Sequence, residues 1–177
     1  MKTKTQFIVF LSLIIYGTVF SQDTYQIFPD AGFKVKCDCK LKVNTTFIQM
    51  AKQQGANNII AAYICTENKN NPDKVVMVNI NIYDESLSYK NIRTSGYSYF
   101  EKMYLEEYAT NLSNSGLKYN YTTYQSVTAI EYTFDQMGLP TKAIIFLKNK
   151  KSYLIQIVTQ KYLTDKYNRI KKSFVIL

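Results

Sequence analysis

The chain has 177 residues, with 22 lysines and arginines against 13 aspartates and glutamates, three cysteines and no histidine. A chain of this length usually forms one domain with a sizeable hydrophobic core. The lack of histidine excludes Ser-His-Asp and Cys-His catalysis, histidine-ligated metal centres and the usual general base near neutral pH.

The first 21 residues have the pattern of a secretory signal peptide. Two lysines precede an apolar run over residues 7–20, and Ser21 supplies the small residue that a signal peptidase requires. The run is shorter than the roughly 20 apolar residues that a membrane span needs. We therefore predict cleavage after Ser21, leaving residues 22–177 as a single exported domain, soluble in the periplasm or secreted. A lipoprotein would need a cysteine at the cleavage site, and the first cysteine is Cys37.

The N-terminal half of this domain is predicted to contain mostly strands. Residues 33–43 alternate strictly between apolar and mostly charged side chains, which is typical of a strand with one buried face. Residues 58–66 are apolar on both parities, which favours an interior strand. We predict strands near residues 25–28 and over 33–43, 58–66 and 74–84, a short helix over 45–54, and an exposed polar loop over 67–73.

The C-terminal half is predicted to contain two amphipathic helices that enclose a run of strands. Aromatic and leucine residues recur every three or four positions from residue 95 to residue 114, and again from 162 to 177. Between them, alternating segments predict strands over 117–124, 127–134 and a hairpin that turns at Asn149 and Lys150. This order of elements predicts an α+β fold, with a mainly antiparallel sheet flanked by helices.

The order of elements resembles the PsbP-like fold. The segment "YQIFPDAGFKV" near the mature start, one long middle helix, C-terminal strands and a final helix that runs into "KKSF" carry the resemblance. It implies a twisted antiparallel sheet in an α/β/α sandwich. An extrinsic photosystem subunit, a small Ran-binding protein and many secreted bacterial proteins of unknown role share that fold. The resemblance brings no family site onto residues of this chain.

No nucleophile elbow, P-loop or dinucleotide-binding fingerprint occurs in the sequence. Carboxylate pairs close in sequence are Glu131 with Asp135 and Asp84 with Glu85. Glu131 alternates away from the apolar side chains of its segment, which favours a solvated position. We predict that the protein is not an enzyme and requires no cofactor.

Three cysteines lie on segments that the pattern places in the core. Cys37 and Cys39 share the apolar parity of the strand over 33–43, and Cys65 ends an interior strand. Two cysteines that are two residues apart on one strand are poorly placed to pair with each other. In an oxidising compartment we expect a disulfide from Cys65 to either Cys37 or Cys39. Three buried thiols and thiolate binding of Cu(I) are the alternatives. We predict that the cysteines fill or cross-link the core and form no metal site.

The basic charge favours an anionic partner, such as a protein, a glycan or a lipid surface of the cell envelope, although a solvated lysine-rich surface would give the same charge. We predict an exported accessory or binding protein that does not bind nucleic acid. The alternative is a carrier of a small apolar ligand between sheet and helix. The residues proposed to contact the partner lie at the hairpin tip, on the last helix and on the middle helix: Lys148, Lys150, Lys151, Lys166, Arg169, Lys171, Lys172 and Tyr99.

Overall fold

The structure is a computed structural model that describes residues 24–66, 75–92, 95–136 and 138–177. The predicted signal peptide and the predicted polar loop over 67–73 lie outside these residues. None of the helices in these ranges has the length and hydropathy that a helix needs to cross a lipid bilayer.

The described residues form two antiparallel sheets and four α-helices. A seven-stranded sheet has the order β3-β4-β5-β9-β8-β7-β6, and a three-stranded sheet has the order β1-β2-β10. The strands are β1 (Gln26–Phe28), β2 (Phe33–Val35), β3 (Lys42–Val43), β4 (Ile59–Thr66), β5 (Val75–Asp84), β6 (Tyr119–Tyr124), β7 (Val127–Gln136), β8 (Leu139–Lys148), β9 (Lys151–Thr159) and β10 (Val175–Ile176). The helices are α1 (Thr45–Gln53), α2 (Ser86–Ile92), α3 (Tyr97–Asn114) and α4 (Leu163–Ser173).

Both faces of the large sheet are covered. Helix α4 and the small sheet pack on one face, in a core that includes Phe33, Phe146, Tyr167 and Phe174. Helix α3 packs on the opposite face through Phe100 and other buried residues, and α1 covers the β4 end. The predicted α+β class and the antiparallel sheet with flanking helices are therefore confirmed.

The C-terminal strands follow the predicted pattern closely. The β8–β9 hairpin turns at Asn149 and Lys150, whose φ angles of 54° and 59° are both left-handed. Two consecutive left-handed residues are what a tight hairpin turn requires, because its twist then matches that of the flanking strands. The predicted turn position is confirmed.

The predicted continuous strand over 33–43 is wrong. It divides into β2, which belongs to the small sheet, and β3, which pairs with β4 at the edge of the large sheet. The intervening residues 36–41 change sheets, and the Gln26 side chain accepts a hydrogen bond from the Leu41 N–H (2.9 Å) and donates to the Cys39 carbonyl (2.8 Å). These bonds replace ladder bonds, so the Leu41 N–H and the Cys39 carbonyl keep partners where the backbone leaves the strand. Helix α2 was not predicted. The last helical pattern was expected to run from residue 162 to residue 177, but α4 ends at Ser173 and strand β10, also not predicted, follows it.

Candidate anion-binding site

A shallow pocket of about 280 Å³ lies between the N-terminal segment and helix α4. Three of its lining residues are cationic. The lining residues are Tyr25, Lys36, Arg169, Lys172 and Ser173. Of these, Arg169 and Lys172 were predicted to contact a partner, whereas the other three were not.

Ser173 fixes the position of Lys36 in the pocket. The Lys36 backbone N–H donates to the Ser173 hydroxyl at 3.0 Å, and that hydroxyl faces the carbonyl oxygens of Lys36 at 3.1 Å and Ile170 at 2.8 Å. Residue 36 is thereby attached to the last turn of α4. Strand β10 follows at once and pairs with β2, with Val175 opposite Lys34. The two elements that line the pocket are therefore held together by the bonds of the Ser173 hydroxyl and by the backbone pairing of β2 with β10.

Tyr25 presents its ring to two lysines. The Lys34 ammonium lies 4.8 Å from the ring centroid, and the Lys36 ammonium lies 5.2 Å from it. Both distances are within the range of a cation–π contact, which is worth about 0.5–1 kcal/mol at an exposed site. Tyr25 is itself 39% exposed, so these contacts hold both cations near the protein surface.

One carboxylate lies beside the cationic side chains. The Arg169 guanidinium donates to the Asp38 carboxylate, and the Arg169 side chain remains 56% exposed. An exposed ion pair of this kind contributes little to stability. A guanidinium has five donors in a rigid fork, so Arg169 keeps donors for an external acid besides those that Asp38 occupies.

The pocket is suited to binding an anionic group. Cationic donors come from two directions, Lys36 from the segment after β2 and Arg169 and Lys172 from α4. Hydrogen bonds between such donors and a carboxylate, sulfate or phosphate are stronger than neutral ones. The remaining lining residues, Tyr25 and Ser173, carry hydroxyl groups, and that of Tyr25 can donate a further hydrogen bond.

The structure does not bring the other predicted contact residues to this pocket. At the hairpin, the Lys148 ammonium donates to the Gln125 carbonyl at 3.2 Å, and the Lys150 ammonium lies 4.8 Å from the Tyr89 ring. Lys151 pairs with Asp84 of β5 within the sheet. Tyr99 is 48% exposed on α3, which packs on the opposite face from α4.

Two α4 lysines among the predicted contact residues face inward, although the basic pattern of the helix favours an outer face for them. Lys166 is only 6% exposed, and its ammonium donates to the Thr159 hydroxyl at 2.9 Å. Lys171 faces the large sheet, where its ammonium donates to the Glu131 carboxylate. A lysine stem is apolar over four carbons and can lie along a buried surface, so a helical charge pattern alone does not reveal this orientation.

Glu131 is also not in the predicted solvated position. Its side chain is 17% exposed and receives hydrogen bonds from Lys171 and from the Tyr167 hydroxyl (2.8 Å), with the Lys142 ammonium 3.6 Å away. Burial favours a raised pKa for Glu131, but the hydrogen bonds and the two ammonium charges outweigh burial and lower that pKa. This arrangement links β7, β8 and α4, and it is a structural ion cluster.

The other carboxylates close in sequence have separate roles. The Asp84 carboxylate accepts from the Ser86 N–H at 2.9 Å and so gives a partner to the first N–H of α2. Glu85 is 4% exposed and accepts hydrogen bonds from Asn58 and Ser152, each at 3.1 Å. The Ser88 hydroxyl donates to the other carboxylate oxygen at 3.3 Å. This buried glutamate therefore has neutral donors on both oxygens and connects several elements, and no sequence signal indicated it.

The three cysteines meet where the chain changes sheets. A disulfide joins Cys39 to Cys65, which is one of the two pairings left open by the sequence, with 5.8 Å between their Cα atoms. The Cys37 sulfur lies 3.4 Å from the Cys39 sulfur and 3.5 Å from the Cys65 sulfur. Cys39 and Cys65 are both 4% exposed, whereas Cys37 is half-buried.

A second pocket, of about 430 Å³, lies between α3 and the β6–β7 edge of the sheet. Most of its lining side chains are polar. Burial raises the pKa of Glu101, one of the residues in its wall. The lining residues are Ser98, Glu101, Lys102, Leu105, Glu106, Tyr121 and Thr128.

No protein-family model matches the sequence, and no curated protein matches it. The resemblance to the PsbP-like fold therefore stays a prediction.

Proposed function

We propose that the protein is an exported, non-enzymatic binding protein that holds an acidic polysaccharide of the cell envelope in the pocket beside α4. The observation that carries the proposal is the convergence of Lys36, Arg169 and Lys172 on one concave surface. The basic composition of the whole chain agrees with an anionic partner, and the signal-peptide pattern supports export.

The shape of the site favours a glycan over a bilayer. A lipid surface is best matched by a flat or convex basic face with apolar side chains that enter the headgroup region. This pocket is concave, and about 280 Å³ is enough for one sugar ring with its acidic substituent. Lys34, beside Tyr25, extends the cationic surface beyond the pocket, so a second acidic residue of the same polymer would also meet a positive charge.

The proposal is tested by binding of the purified protein to an immobilised polyuronate and to a sulfated polysaccharide, with neutral dextran as reference. We expect binding to the acidic polymers that weakens steeply with added salt. The variant Arg169→Ala/Lys172→Ala should bind at least about ten-fold more weakly, because each lost charge-assisted bond is worth more than 1 kcal/mol.

A matched control removes the same charge elsewhere. Lys102 and Lys118 are exposed and lie outside the pocket, so Lys102→Ala/Lys118→Ala should bind like the unaltered protein. If both double variants lost affinity equally, net charge alone would explain the binding, and the proposed site would be refuted. Binding to anionic vesicles but not to the polysaccharides would refute the proposed class of partner.

The alternative function, a carrier of a small apolar ligand between sheet and helix, has weaker support. The pocket between α3 and the sheet has two apolar or aromatic lining residues, Leu105 and Tyr121, but its other lining residues are two glutamates, a lysine, a serine and a threonine. Ligand sites for apolar molecules are lined mainly by apolar and aromatic side chains. Native mass spectrometry of the purified protein tests this alternative, since a carrier would retain a defined extra mass.

A further inference from the structure

The three cysteine sulfurs form a triangle rather than a line. The Cys37 sulfur is nearly equidistant from the two bonded sulfurs, at 3.4 and 3.5 Å, so it lies beside the Cys39–Cys65 bond. Thiol–disulfide exchange proceeds by attack of a thiolate on one sulfur, with the other as leaving group, which requires the thiolate near the axis of the bond. The Cys37 sulfur lies to the side of the Cys39–Cys65 bond, which is a poor position for attack on that bond. A triangle of three sulfurs is, however, the arrangement that three ligands adopt around one ion.

We propose that Cys37, Cys39 and Cys65, once the disulfide is reduced, form a three-thiolate site for a single Cu(I) ion. With metal–sulfur bonds of about 2.3 Å, a length known for zinc thiolates, three ligands around one ion lie roughly 4 Å apart. The Cys37 sulfur is within about half an ångström of that separation from both of the others. The sulfurs of Cys39 and Cys65 have only to move apart after reduction.

The stoichiometry of the site selects Cu(I). Thiolates are soft ligands, and Cu(I) accepts two or three of them. Zinc usually takes four ligands, and the chain has no histidine to supply the fourth. The nearest acidic residue in sequence, Asp38, is engaged by Arg169. Among ions that thiolates bind well, Cu(I) is therefore the one that these three residues satisfy.

The polypeptide around the site is organised independently of the disulfide. The Gln26 amide donates to the carbonyls of Cys37 (3.3 Å) and Cys39 (2.8 Å), and its oxygen accepts from the Leu41 N–H (2.9 Å). Gln26 thus acts as a positioning residue for the segment that carries two of the ligands. Cys65 is fixed separately in β4, opposite Val78 of β5. These bonds persist when the disulfide is cleaved, so the ligands stay close together.

Charge and access also fit the proposal. Three thiolates and one Cu(I) carry two net negative charges, and neighbouring cations stabilise such a group. Lys36 and Lys40 flank the two cysteines in sequence, and Lys42 follows. Cys39 and Cys65 are shielded from water, while half-buried Cys37 gives an ion a way in.

The site takes up copper in two steps, reduction of the disulfide and then binding of Cu(I). An external dithiol reduces the Cys39–Cys65 bond: two electrons and two protons pass to the protein, two thiols form, and the dithiol closes to its own disulfide. Cu(I) then displaces three protons from the three thiols. The metal stays Cu(I) throughout. After the ion is removed, an external disulfide takes up two electrons and two protons from Cys39 and Cys65, becomes a dithiol, and restores the disulfide described here.

The test uses the whole protein, reduced with a dithiol and freed of it under anaerobic conditions. Cu(I) is titrated against a chromophoric Cu(I) chelator, and X-ray absorption measures the number of sulfur ligands. We expect one Cu(I) per chain with three sulfurs. Near-ultraviolet circular dichroism should show that the reduced protein keeps its tertiary structure, and loss of that signal on reduction would overturn the proposal.

Cys37→Ser is the decisive variant because it retains the native disulfide before reduction and so folds as the unaltered protein does. It should bind Cu(I) at least ten-fold more weakly, with two sulfur ligands. Gln26→Ala, which leaves all three thiols in place, should weaken binding by a smaller factor. Unchanged affinity in Cys37→Ser, no stoichiometric Cu(I) in the unaltered protein, or tighter binding of Zn²⁺ than of Cu(I) would each overturn the proposal.

Discussion

The backbone N–H of Lys36 donates a 3.0 Å hydrogen bond to the hydroxyl of Ser173, a residue 137 positions later in the chain. This one bond attaches the segment that leaves the small sheet to the last turn of α4. Because Lys36 and Ser173 both line the cationic pocket, the geometry of the pocket depends on it.

Ser173→Ala should therefore affect both stability and binding. The variant leaves the Lys36 N–H without its acceptor in a part-buried position, which costs about 1–2 kcal/mol of the free energy of unfolding. It should also weaken polysaccharide binding several-fold, although no charge is removed. Urea unfolding and the binding assay measure the two effects, with exposed Ser113→Ala on α3 as control. Full binding in Ser173→Ala would show that the pocket does not depend on this attachment.

Asp38→Asn should strengthen anion binding. The Asp38 carboxylate competes with an external acid for Arg169, and the substitution removes its negative charge while it keeps a hydrogen-bond acceptor. We expect a several-fold gain in affinity at low salt, and a change of no more than about 0.5 kcal/mol in stability because the ion pair is exposed. Asp135→Asn, at an exposed position outside the pocket, supplies the control. A loss of affinity in Asp38→Asn would mean that the carboxylate orients Arg169 more than it competes for it.

Glu131 should make the fold sensitive to acid. Its pKa is lowered from 4.5 in the folded state, so the stability that it contributes is present above its unfolded pKa and is lost as the pH falls through the folded pKa. Glu131→Gln should cost about 1–3 kcal/mol at pH 7, since it leaves Lys171 and Lys142 without their counter-ion. The difference should shrink as the pH falls below 4.5, and it should vanish once the pH is below the lowered pKa of folded Glu131. Urea unfolding at a series of pH values measures this, and a constant difference across the series would contradict it.

Cys39→Ser should keep a disulfide. The Cys37 sulfur is 3.5 Å from the Cys65 sulfur, so removal of the native partner leaves a second thiol within reach of Cys65. Peptide mapping without reductant should then find a Cys37–Cys65 bond. Cys65→Ala removes the common partner and should cost roughly 3–4 kcal/mol on the chain-entropy model of a loop of this length. Two free thiols in oxidised Cys39→Ser would disprove the alternative pairing.

Tyr124 should resist ionisation. Burial raises its pKa to about 12, and its hydroxyl donates to the carbonyls of Lys171 (2.7 Å) and Phe174 (3.1 Å), where an ionised oxygen could not. Since the folded pKa exceeds the unfolded value, this contribution to stability is present below pH 10 and is lost as the pH rises towards 12. Spectrophotometric titration at 295 nm should show one tyrosine fewer in the late phase for Tyr124→Phe. If the tyrosines that ionise at high pH were as many in Tyr124→Phe as in the unaltered protein, Tyr124 would ionise at lower pH with the other tyrosines, and the raised pKa would be disproved.

The sequence predicted those features that depend on neighbours along the chain. The hairpin at Asn149 and Lys150, the apolar stripe of α3 and the alternation of β7 all follow from local spacing, and the structure contains each of them. Local spacing also separated Glu131 from the apolar residues beside it. It could not show that Lys171 of α4 would cover Glu131, because that contact joins residues 40 positions apart.

The candidate site was only partly predictable for the same reason. Arg169 and Lys172 were visible as charges on a helix, but Tyr25 and Lys36 join them through the pairing of β2 with β10 and the hydrogen bonds between Lys36 and Ser173. The cysteine pattern predicted a bond to Cys65 without choosing a partner. The choice follows from the exit of the chain from β2 after Val35, which the unbroken alternation concealed.

The pairing of β2 with β10 also constrains the order of folding. Residues 119–159 form a meander of neighbouring strands, whose contacts are local and can form early. The small sheet instead joins Phe33 to Ile176 and the Gly32 carbonyl to the Leu177 N–H. It cannot close before residues 175–177 are available, and the loop that it closes is nearly as long as the described chain. We therefore expect closure of the small sheet, and with it assembly of the cationic pocket, to be a late event in folding.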